Sequence, residues 1–240
     1  MARRRFFVPQ VRRGLAELTG EEAEHLVRVL RAEVGQVYEI SDNEHLYLAE
    51  VEVARKSQVT FKVLEDLPQP AAEAEVVLVA ALIKFDRFEW IVEKATELGV
   101  TEIHPFEATR TERGLMQAAA KRSQRWEKIA HEASQQARRA KLPVIAESAP
   151  FREAIKYDAS VKLFLDEDSE TPILKSLPEA REVSDRVVLL LGPEGGWTPE
   201  ERESALVAGW KSCSLGGTVL RAETAAVASL AIVRAAWARS

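Results

Sequence analysis

Two segments near the carboxyl end of the chain share one layout, in which a buried strand leads through a glycine-containing turn into a helix. The first segment runs from Leu189 to Glu201 and the second from Ser214 to Ala225. Six of the eleven glycines lie between Gly192 and Gly217, and glycine allows positive φ angles and close approach of the main chain to a ligand. Because α/β proteins bind ligands at the carboxyl ends of their strands, the two turns predict the walls of one pocket.

The residues after the first turn predict where the next helix begins. Thr198 is suited to the N-cap and Pro199 to the first helical position, and Glu201 completes a capping box with Thr198. No Gly-Lys-Ser/Thr follows the glycines, and the Gly-x-Gly-x-x-Gly spacing of a dinucleotide site is absent. A phosphate cradle is therefore not predicted, which argues against a Rossmann-type nucleotide enzyme.

From Glu75 onward, predicted strands and helices alternate, which indicates an α/β domain with a mostly parallel sheet and helices on both faces. The predicted strands are 76–82, 102–104, 144–146, 161–165, 187–191 and 212–214, and the predicted helices are 86–98, 118–139, 199–207 and 223–238. The last helix is rich in alanine, and its polar residues form no coherent wet face. This pattern predicts a dimer interface on that helix.

The first seventy residues have a different pattern of predicted secondary structure. Short runs typical of strands at 6–8, 37–40, 47–53 and 59–64 surround one helix at 21–31, which predicts a small β-barrel. The segment Pro68-Gln69-Pro70 is typical of a linker, because proline cannot continue a strand or helix interior. The predicted domains are therefore residues 1–70 and residues 71–240.

The distribution of charge indicates a localised basic patch on a chain whose net charge is negative. The formal net charge is −5, yet residues 1–13 hold five arginines and no acid, and residues 121–141 hold seven basic residues against two acidic ones. A solvated helix face together with a frayed terminus is the alternative explanation.

Cys213 is the only cysteine and the four histidines show no ligand spacing, so no metal is expected. No apolar run has the length of a membrane span or signal peptide, so we expect a cytoplasmic protein without a membrane partner.

The two carboxyl-terminal motifs as a pair carry a family resemblance. Leu-Gly-Pro-Glu-Gly-Gly from Leu191 and Ser-Leu-Gly-x-x-Val-Leu-Arg-x-Glu-Thr-Ala from Ser214 resemble the SPOUT superfamily of RNA methyltransferases. Within it, the chain is similar to the bacterial 16S ribosomal RNA (uracil-N3)-methyltransferase family. The match extends upstream to Arg5-Phe6-Phe7-Val8, His25, Leu30-Arg31, Lys84, 94–100, Arg125-Trp126, Glu132-Ala133, Gln136, Arg139 and Pro143. The chain departs from the family pattern at Ser41-Asp42-Asn43-Glu44, where an Asp-Gly turn is usual, and at Gly114 and Arg138.

The resemblance implies a SPOUT fold with a deep carboxyl-terminal knot, preceded by a PUA-like barrel that binds RNA. It also implies an obligate homodimer with the active site at its seam, and S-adenosylmethionine as cofactor. The implied reaction is methylation of N3 of the 16S uridine conventionally numbered 1498, within the assembled 30S subunit. Two alternatives remain, a ribose 2′-O-methyltransferase acting on another RNA and a non-catalytic ribosome-assembly factor that binds RNA and retains a cofactor pocket.

The residues expected to bind the cofactor are the strand ends and glycine turns, namely Leu165, Leu191, Gly192, Pro193, Gly195, Gly196, Leu215, Gly216, Val219 and Leu220. Arg221 is expected to stabilise charge on the uracil carbonyl oxygens, and Glu194 to accept the N3 proton. Glu223 is an alternative acceptor that would otherwise favour a helix N-terminus, and Arg221 would otherwise pair with Glu194 or Glu223. The predicted RNA contacts, which position the substrate without reading its sequence, are Arg5, Lys84, Arg110, Arg113 and Arg139.

Overall fold

The computed structural model describes residues 4–71, 73–179 and 182–237. The chain forms two compact units. The first unit comprises Met1–Ala71 together with Ser134–Leu142, and the second comprises Ala72–Ala133 together with Pro143–Ser240.

The first unit is a six-stranded sheet with one helix. Its elements are β1 (Arg5–Phe7), β2 (Val11–Arg12), β3 (Leu15–Thr19), α1 (Gly20–Arg28), β4 (Val37–Ser41), β5 (Leu46–Arg55) and β6 (Gln58–Leu67). The strand order is β1-β4-β5-β6-β3-β2, with β1 parallel to β4 and every other pair antiparallel. The core of this unit is built from apolar side chains of the strands and of α1, including Phe6, Leu26, Ile40, Val51 and Phe61.

The β2–β3 hairpin is an element that the sequence pattern did not predict. Arg13 and Gly14 form its tight turn with φ angles of 51° and 76°. A two-residue turn with both φ angles positive is usually indicated by Asn-Gly or Asp-Gly. Because arginine occupies the first position here, the sequence does not indicate the turn.

A second segment of chain, residues 134–142, belongs to the first unit through hydrogen bonds to the loop after β4. Ser41 Oγ donates to the carbonyl of Ala140 at 2.7 Å, and the amide of Leu142 donates to Asn43 Oδ1 at 2.7 Å. Asn43 has a φ of 73°, a region that asparagine tolerates better than most residues. At this departure from an Asp-Gly turn, Asn43 adopts a positive φ and its side chain supplies a hydrogen-bond acceptor.

The second unit is an α/β domain. Its strands are β7 (Glu75–Ala81), β8 (Glu102–Glu107), β9 (Val144–Ile145), β10 (Ala149–Pro150), β11 (Val161–Leu165), β12 (Arg186–Leu191) and β13 (Lys211–Cys213). Its helices are α2 (Phe85–Glu97), α3 (Leu115–Ala119), α4 (Ser123–Gln136, whose end clusters with the first unit), α5 (Phe151–Ala154), α6 (Ile173–Ser176), α7 (Pro199–Val207) and α8 (Ala222–Ala236). The sheet has the order β10-β8-β7-β12-β11-β13, with β9 beside β8, and every pair is parallel.

The apolar strands of this sheet are covered on both faces. Along β7, Val76 and Leu78 join one core cluster, which includes side chains of α2 and α8, whereas Val77 and Val79 join another, which includes side chains of α5 and α7. Strands buried on both faces read as continuous apolar runs. The predicted fold class, a parallel α/β sheet with helices on both faces after a small β domain, is confirmed.

The prediction of one helix over residues 118–139 was wrong. The structure has α3 and α4 instead, separated by a turn at residues 120–122. The amides of Lys121 and Arg122 donate to carbonyls three residues earlier, which tightens the chain and interrupts the helix. Beyond α4, Arg138 has a φ of 54°. The predicted end of the last helix, Ala238, lies outside the described residues, as does Arg239, one of its polar positions.

Within the described ranges, no helix combines the length and apolar character needed to cross a membrane.

Candidate active site

The carboxyl ends of three neighbouring strands, β11, β12 and β13, open into one cleft. The cleft encloses ≈ 590 Å³ of empty space, counted to its open mouth. Nine of the ten residues predicted to bind the cofactor line it, and Gly195 does not. Asp166, expected with Leu165 at the third strand end, also lines it, as do residues that the sequence did not indicate: Glu167, Trp197, Cys213, Ser214, Thr218, Ala222 and Ala225.

Trp197 fixes the first glycine turn against the end of β11. Its side chain is buried, and its Nε1 donates to the carbonyl of Leu165 at 2.8 Å. A Cβ on Gly192 would lie 2.7 Å from the Trp197 ring, so only glycine fits there without movement of the indole. An aromatic residue between a Gly-Gly pair and a capping box was the available sequence signal for this anchor.

The second glycine turn leaves space at the mouth of the cleft. Gly216 has a φ of 127°, and a Cβ on Gly216 or Gly217 would meet no atom within 4 Å. The backbone is therefore open to a ligand that approaches closely. Below this turn, Cys213 forms part of the buried wall, and burial raises the pKa of its thiol to about 12.

Carboxylates lie at the end of β11, and an arginine from α7 holds them. The guanidinium of Arg202 binds both oxygens of Asp166, with a shortest distance of 3.0 Å, and it also contacts Glu167 and Asp168. The hydrogen bonds that Arg202 donates to Asp166 are the main reason that the pKa of Arg202 is raised. These three carboxylates are grouped closely enough to hold a metal ion, but their cationic partner in the structure is Arg202. Asp166 is only 8% exposed, so this ion pair is an internal brace of the cleft wall.

Glu194, a predicted catalytic residue, lies in the first glycine turn and forms an ion pair with Arg87 from the first turn of α2. The pairing of Glu194 with Arg221, which the sequence left open, is therefore not the one observed. Arg110 reaches the same turn from the loop after β8 and donates from Nη1 to the carbonyl of Gly195 at 2.8 Å. The first turn is thus contacted by two arginines that are distant in sequence.

Arg221, the other predicted catalytic residue, immediately precedes α8 and has an exposed side chain. Its neighbours Leu220 and Ala222 line the cleft, although Arg221 itself does not. In the first turn of α8, Glu223 has a buried carboxylate oxygen, Oε2, that finds no hydrogen-bond donor among the described residues. Burying such an oxygen costs free energy of folding unless a ligand or partner donates a hydrogen bond to it.

Two family models match this chain. Residues 70–234 match a family described as an RNA methyltransferase domain, and residues 18–64 match one described as an RNA methyltransferase PUA domain. The chain belongs to the RNA methyltransferase family. This membership agrees with the resemblance noted from the two glycine motifs.

Curated relatives and solved structures extend the likeness over nearly the whole chain. Ribosomal RNA small subunit methyltransferase E of Bacillus subtilis is 29% identical, covering 95% of each chain. Its namesake in Synechocystis sp. is 31% identical, covering 94% of this chain and 75% of that protein. The crystal structure of the Neisseria gonorrhoeae enzyme bound to S-adenosyl methionine aligns with a TM-score of 0.87 at 28% identity, covering 98% of each chain. A putative methyltransferase from Legionella pneumophila, in complex with SAM, aligns with a TM-score of 0.89 at 27% identity and the same coverage.

The residues predicted to contact RNA are divided between the two units of this family member. In the first unit, Arg5 is bound by Glu39 at 2.8 Å and donates to the carbonyl of Arg138, and Arg139 donates to the carbonyl of Lys141. In the second unit, the predicted residues have exposed side chains and surround the carboxyl ends of β7 and β8: Lys84, Arg110 and Arg113.

Part of the predicted basic patch is already paired with an acidic side chain of the same chain. Arg122 and Arg125 both contact Glu89 of α2, Arg125 at 2.7 Å, and Arg122 also lies over the ring of Phe85. These two cations therefore link the start of α4 and the turn before it to α2. The number of charges in a sequence segment does not reveal which of them are already paired.

Proposed function

We propose that this protein transfers a methyl group from S-adenosylmethionine to N3 of a uridine in 16S ribosomal RNA of the small subunit. The proposed target is the uridine conventionally numbered 1498. The observation that carries the proposal is the single cleft at the ends of β11, β12 and β13, lined by both glycine motifs. The segment that forms this cleft lies within residues 70–234, which match the RNA methyltransferase domain family.

The cleft fits S-adenosylmethionine chemically. Adenine needs apolar walls and backbone partners, and Leu165, Leu191 and Leu215 supply the walls while the glycine turns expose the main chain. Gly216 lines the cleft, and the space beside its Cα is open to a ligand. Two solved structures of similar chains are described as holding this cofactor. When bound, it supplies an activated methyl group on a sulfonium.

The two predicted catalytic residues flank this cleft from different turns. Glu194 would accept the N3 proton, because uracil N3 is a poor nucleophile until that proton leaves. Arg221 would stabilise the negative charge that develops on the flanking carbonyl oxygens. The main requirement is alignment of N3 with the methyl group at a near-attack distance of roughly 3–3.5 Å.

The uridine must reach the site unpaired or flipped out, because Watson–Crick pairing occupies N3. We propose that residues 1–70 form an RNA-binding domain and residues 71–240 the methyltransferase domain, and that the protein acts in the cytoplasm. The RNA contacts proposed are Lys84, Arg110, Arg113 and Arg139. Arg5 would contribute to this RNA-binding surface by donating a hydrogen bond to the carbonyl of Arg138, the residue before Arg139.

We further propose a homodimer that uses α8, and a knot in which the chain from Gly192 to Arg221 threads through a loop. Ala235 and Ala236 of α8 are exposed and small, so another helix can approach closely. The knot is proposed from the family resemblance alone, since chains do not knot by default.

The test is incubation of the purified protein with labelled S-adenosylmethionine and unmodified 30S subunits, followed by digestion and identification of the labelled nucleoside. Label in N3-methyluridine supports the proposal. Label in a 2′-O-methyl nucleoside would keep the family and overturn the target atom. An absence of label, with cofactor binding still measured by calorimetry, would favour the non-catalytic RNA-binding factor.

A further inference from the structure

The ion pair between Arg87 and Glu194 lies beside the cleft and not inside it. Neither residue lines the cleft, although Gly192 and Pro193 of the same turn do. The side chains of Arg87 and Glu194 are 35% and 36% exposed. The pair is therefore accessible from solvent at the rim of the proposed cofactor site.

This pair has hydrogen-bonding capacity left over. A guanidinium carries five N–H donors, and a carboxylate offers about four acceptor positions. One contact between them leaves the other donors of Arg87 and the other acceptors of Glu194 close to one another, on two side chains that are each about one third exposed. A planar guanidinium fork also holds this arrangement more rigidly than a lysine does.

An adjacent donor and acceptor match the Watson–Crick edge of uracil. That edge presents the N3–H donor next to the O4 acceptor, whereas cytosine presents an N3 acceptor next to an amino donor. Resting on the proposed function, we propose that Arg87 and Glu194 together read the target base, with Glu194 accepting from N3–H and Arg87 donating to O4. Cytosine would leave both partners mismatched, and sites built to hydrogen-bond a substrate reject analogues that leave polar groups unpaired.

Glu194 serves recognition first and the reaction next, because the N3–H bond and the new N3–CH3 bond share one in-plane direction and the carboxylate must withdraw once it has taken the proton. The N3 proton passes to the Glu194 carboxylate, N3 forms its bond to the methyl carbon, and the bond from that carbon to sulfur breaks. The sulfonium thereby becomes a neutral thioether, and the charge is balanced by the proton on Glu194. Arg87 stays protonated throughout and holds the growing charge on O4.

The proposal separates base reading from cofactor binding, since Arg87 lies outside the cleft lining. The experiment uses the full-length protein with two kinds of 30S subunit, carrying uridine or cytosine at the modified position. Arg87→Met, Arg87→Lys and Glu194→Gln are compared with Arg152→Met. Arg152 is a matched control, because it is an exposed arginine that contacts Glu153 on α5. Subunit binding, methylation rate and calorimetric affinity for S-adenosylmethionine are measured for each.

We expect Arg87→Met to lower kcat/KM on uridine subunits by roughly tenfold to a hundredfold, the cost of losing one hydrogen bond that involves a charged group. Its preference for uridine over cytosine in subunit binding should fall by a similar factor, with cofactor affinity unchanged. Arg87→Lys should recover part of the loss, and Glu194→Gln should shift binding towards cytosine, because an amide can donate to cytosine N3.

Equal losses on uridine and cytosine subunits, or a loss of cofactor affinity in Arg87→Met, would overturn base reading and leave the pair as a structural brace. Failure of the unsubstituted protein to form N3-methyluridine would overturn the proposed function itself, and the inference with it.

Discussion

The carboxylate of Glu201 accepts a hydrogen bond from the backbone amide of Thr109 at 2.8 Å. Its other oxygen accepts from the amide of Thr198 at 3.0 Å, which completes the capping box of α7. One buried glutamate therefore joins the helix after the first glycine turn to the loop after β8. The next residue of that loop, Arg110, contacts Gly195. The loop after β8 therefore contacts both the glycine turn and the helix that follows it.

Replacing Glu201 with alanine should destabilise the protein by about 2 kcal/mol, because two amides lose their acceptor. Glu201 is only 3% exposed, so water cannot fully replace the lost bonds. Urea denaturation measures the difference. Glu203→Ala, on the exposed side of the same helix, should change stability by less than about 0.5 kcal/mol. Equal losses in both variants would argue that helix propensity alone explains the effect.

Gly192→Ala should cost about 1–3 kcal/mol of stability through overpacking against Trp197. It should also weaken cofactor binding, because the Trp197 indole is bonded to the end of β11, which forms another wall of the cleft. Thermal unfolding and calorimetry test the two effects. Gly217→Ala is the control for stability, since its Cβ would enter open space. If Gly192→Ala is as stable as the control, the turn is more adaptable than its packing indicates.

A polar cluster at the amino ends of the strands predicts an acid-dependent contribution to stability. Glu102 accepts from Tyr157 Oη at 2.7 Å and pairs with Arg186. Burial raises the pKa of Glu102, but hydrogen bonds from Tyr157 and His104 and the charge of Arg186 outweigh it, so the net pKa lies below its ordinary value of 4.5. A carboxyl group whose pKa is lower in the folded state stabilises the fold at pH values above its unfolded-state pKa. This contribution is lost as the pH falls through its folded-state pKa.

Tyr157→Phe should therefore be less stable than the unsubstituted protein by about 1 kcal/mol at pH 7. The difference should shrink as the pH is lowered below 4.5, because protonation of Glu102 weakens the bond in the parent as well. Denaturant unfolding across this acid range checks the trend. A difference that stays constant with pH would show that packing of the ring, and not the hydrogen bond to Glu102, is responsible.

Arg221→Ala should lower kcat by about 10²–10³-fold, the usual cost of removing a donor to a developing oxyanion. Cofactor affinity should change little, because Arg221 does not line the cleft. Single-turnover methylation and calorimetry separate the two quantities. A variant that loses cofactor affinity but keeps its single-turnover rate would place Arg221 in cofactor binding instead.

Local signals in the sequence predicted some elements to the residue. Thr198, Pro199 and Glu201 set the start of α7, and β11 was predicted with its observed bounds. Both elements depend on short-range chemistry, a capping box and an uninterrupted apolar run. The position of the cleft followed from the same source, because two glycine turns after parallel strands meet at one edge of a sheet.

Contacts between distant residues could not be predicted in this way. The pairs Arg87–Glu194 and Thr109–Glu201 join residues about a hundred positions apart, and no periodicity or motif links them. The break between α3 and α4 was also hidden, since residues 120–122 are ordinary helix formers and the tertiary fold decides their turn. Sequence patterns thus located the cleft and left the partners of its charged residues undetermined.

The most direct measurement of the central claim is primer extension across 16S RNA from 30S subunits that have been treated with the protein and S-adenosylmethionine. A methyl group on uracil N3 blocks Watson–Crick pairing and stops the reverse transcriptase, whereas a ribose 2′-O-methyl group leaves the pairing edge free. The account predicts one new stop next to a single uridine, dependent on the cofactor and lost in Arg221→Ala. Labelled RNA with no new stop would contradict methylation at N3.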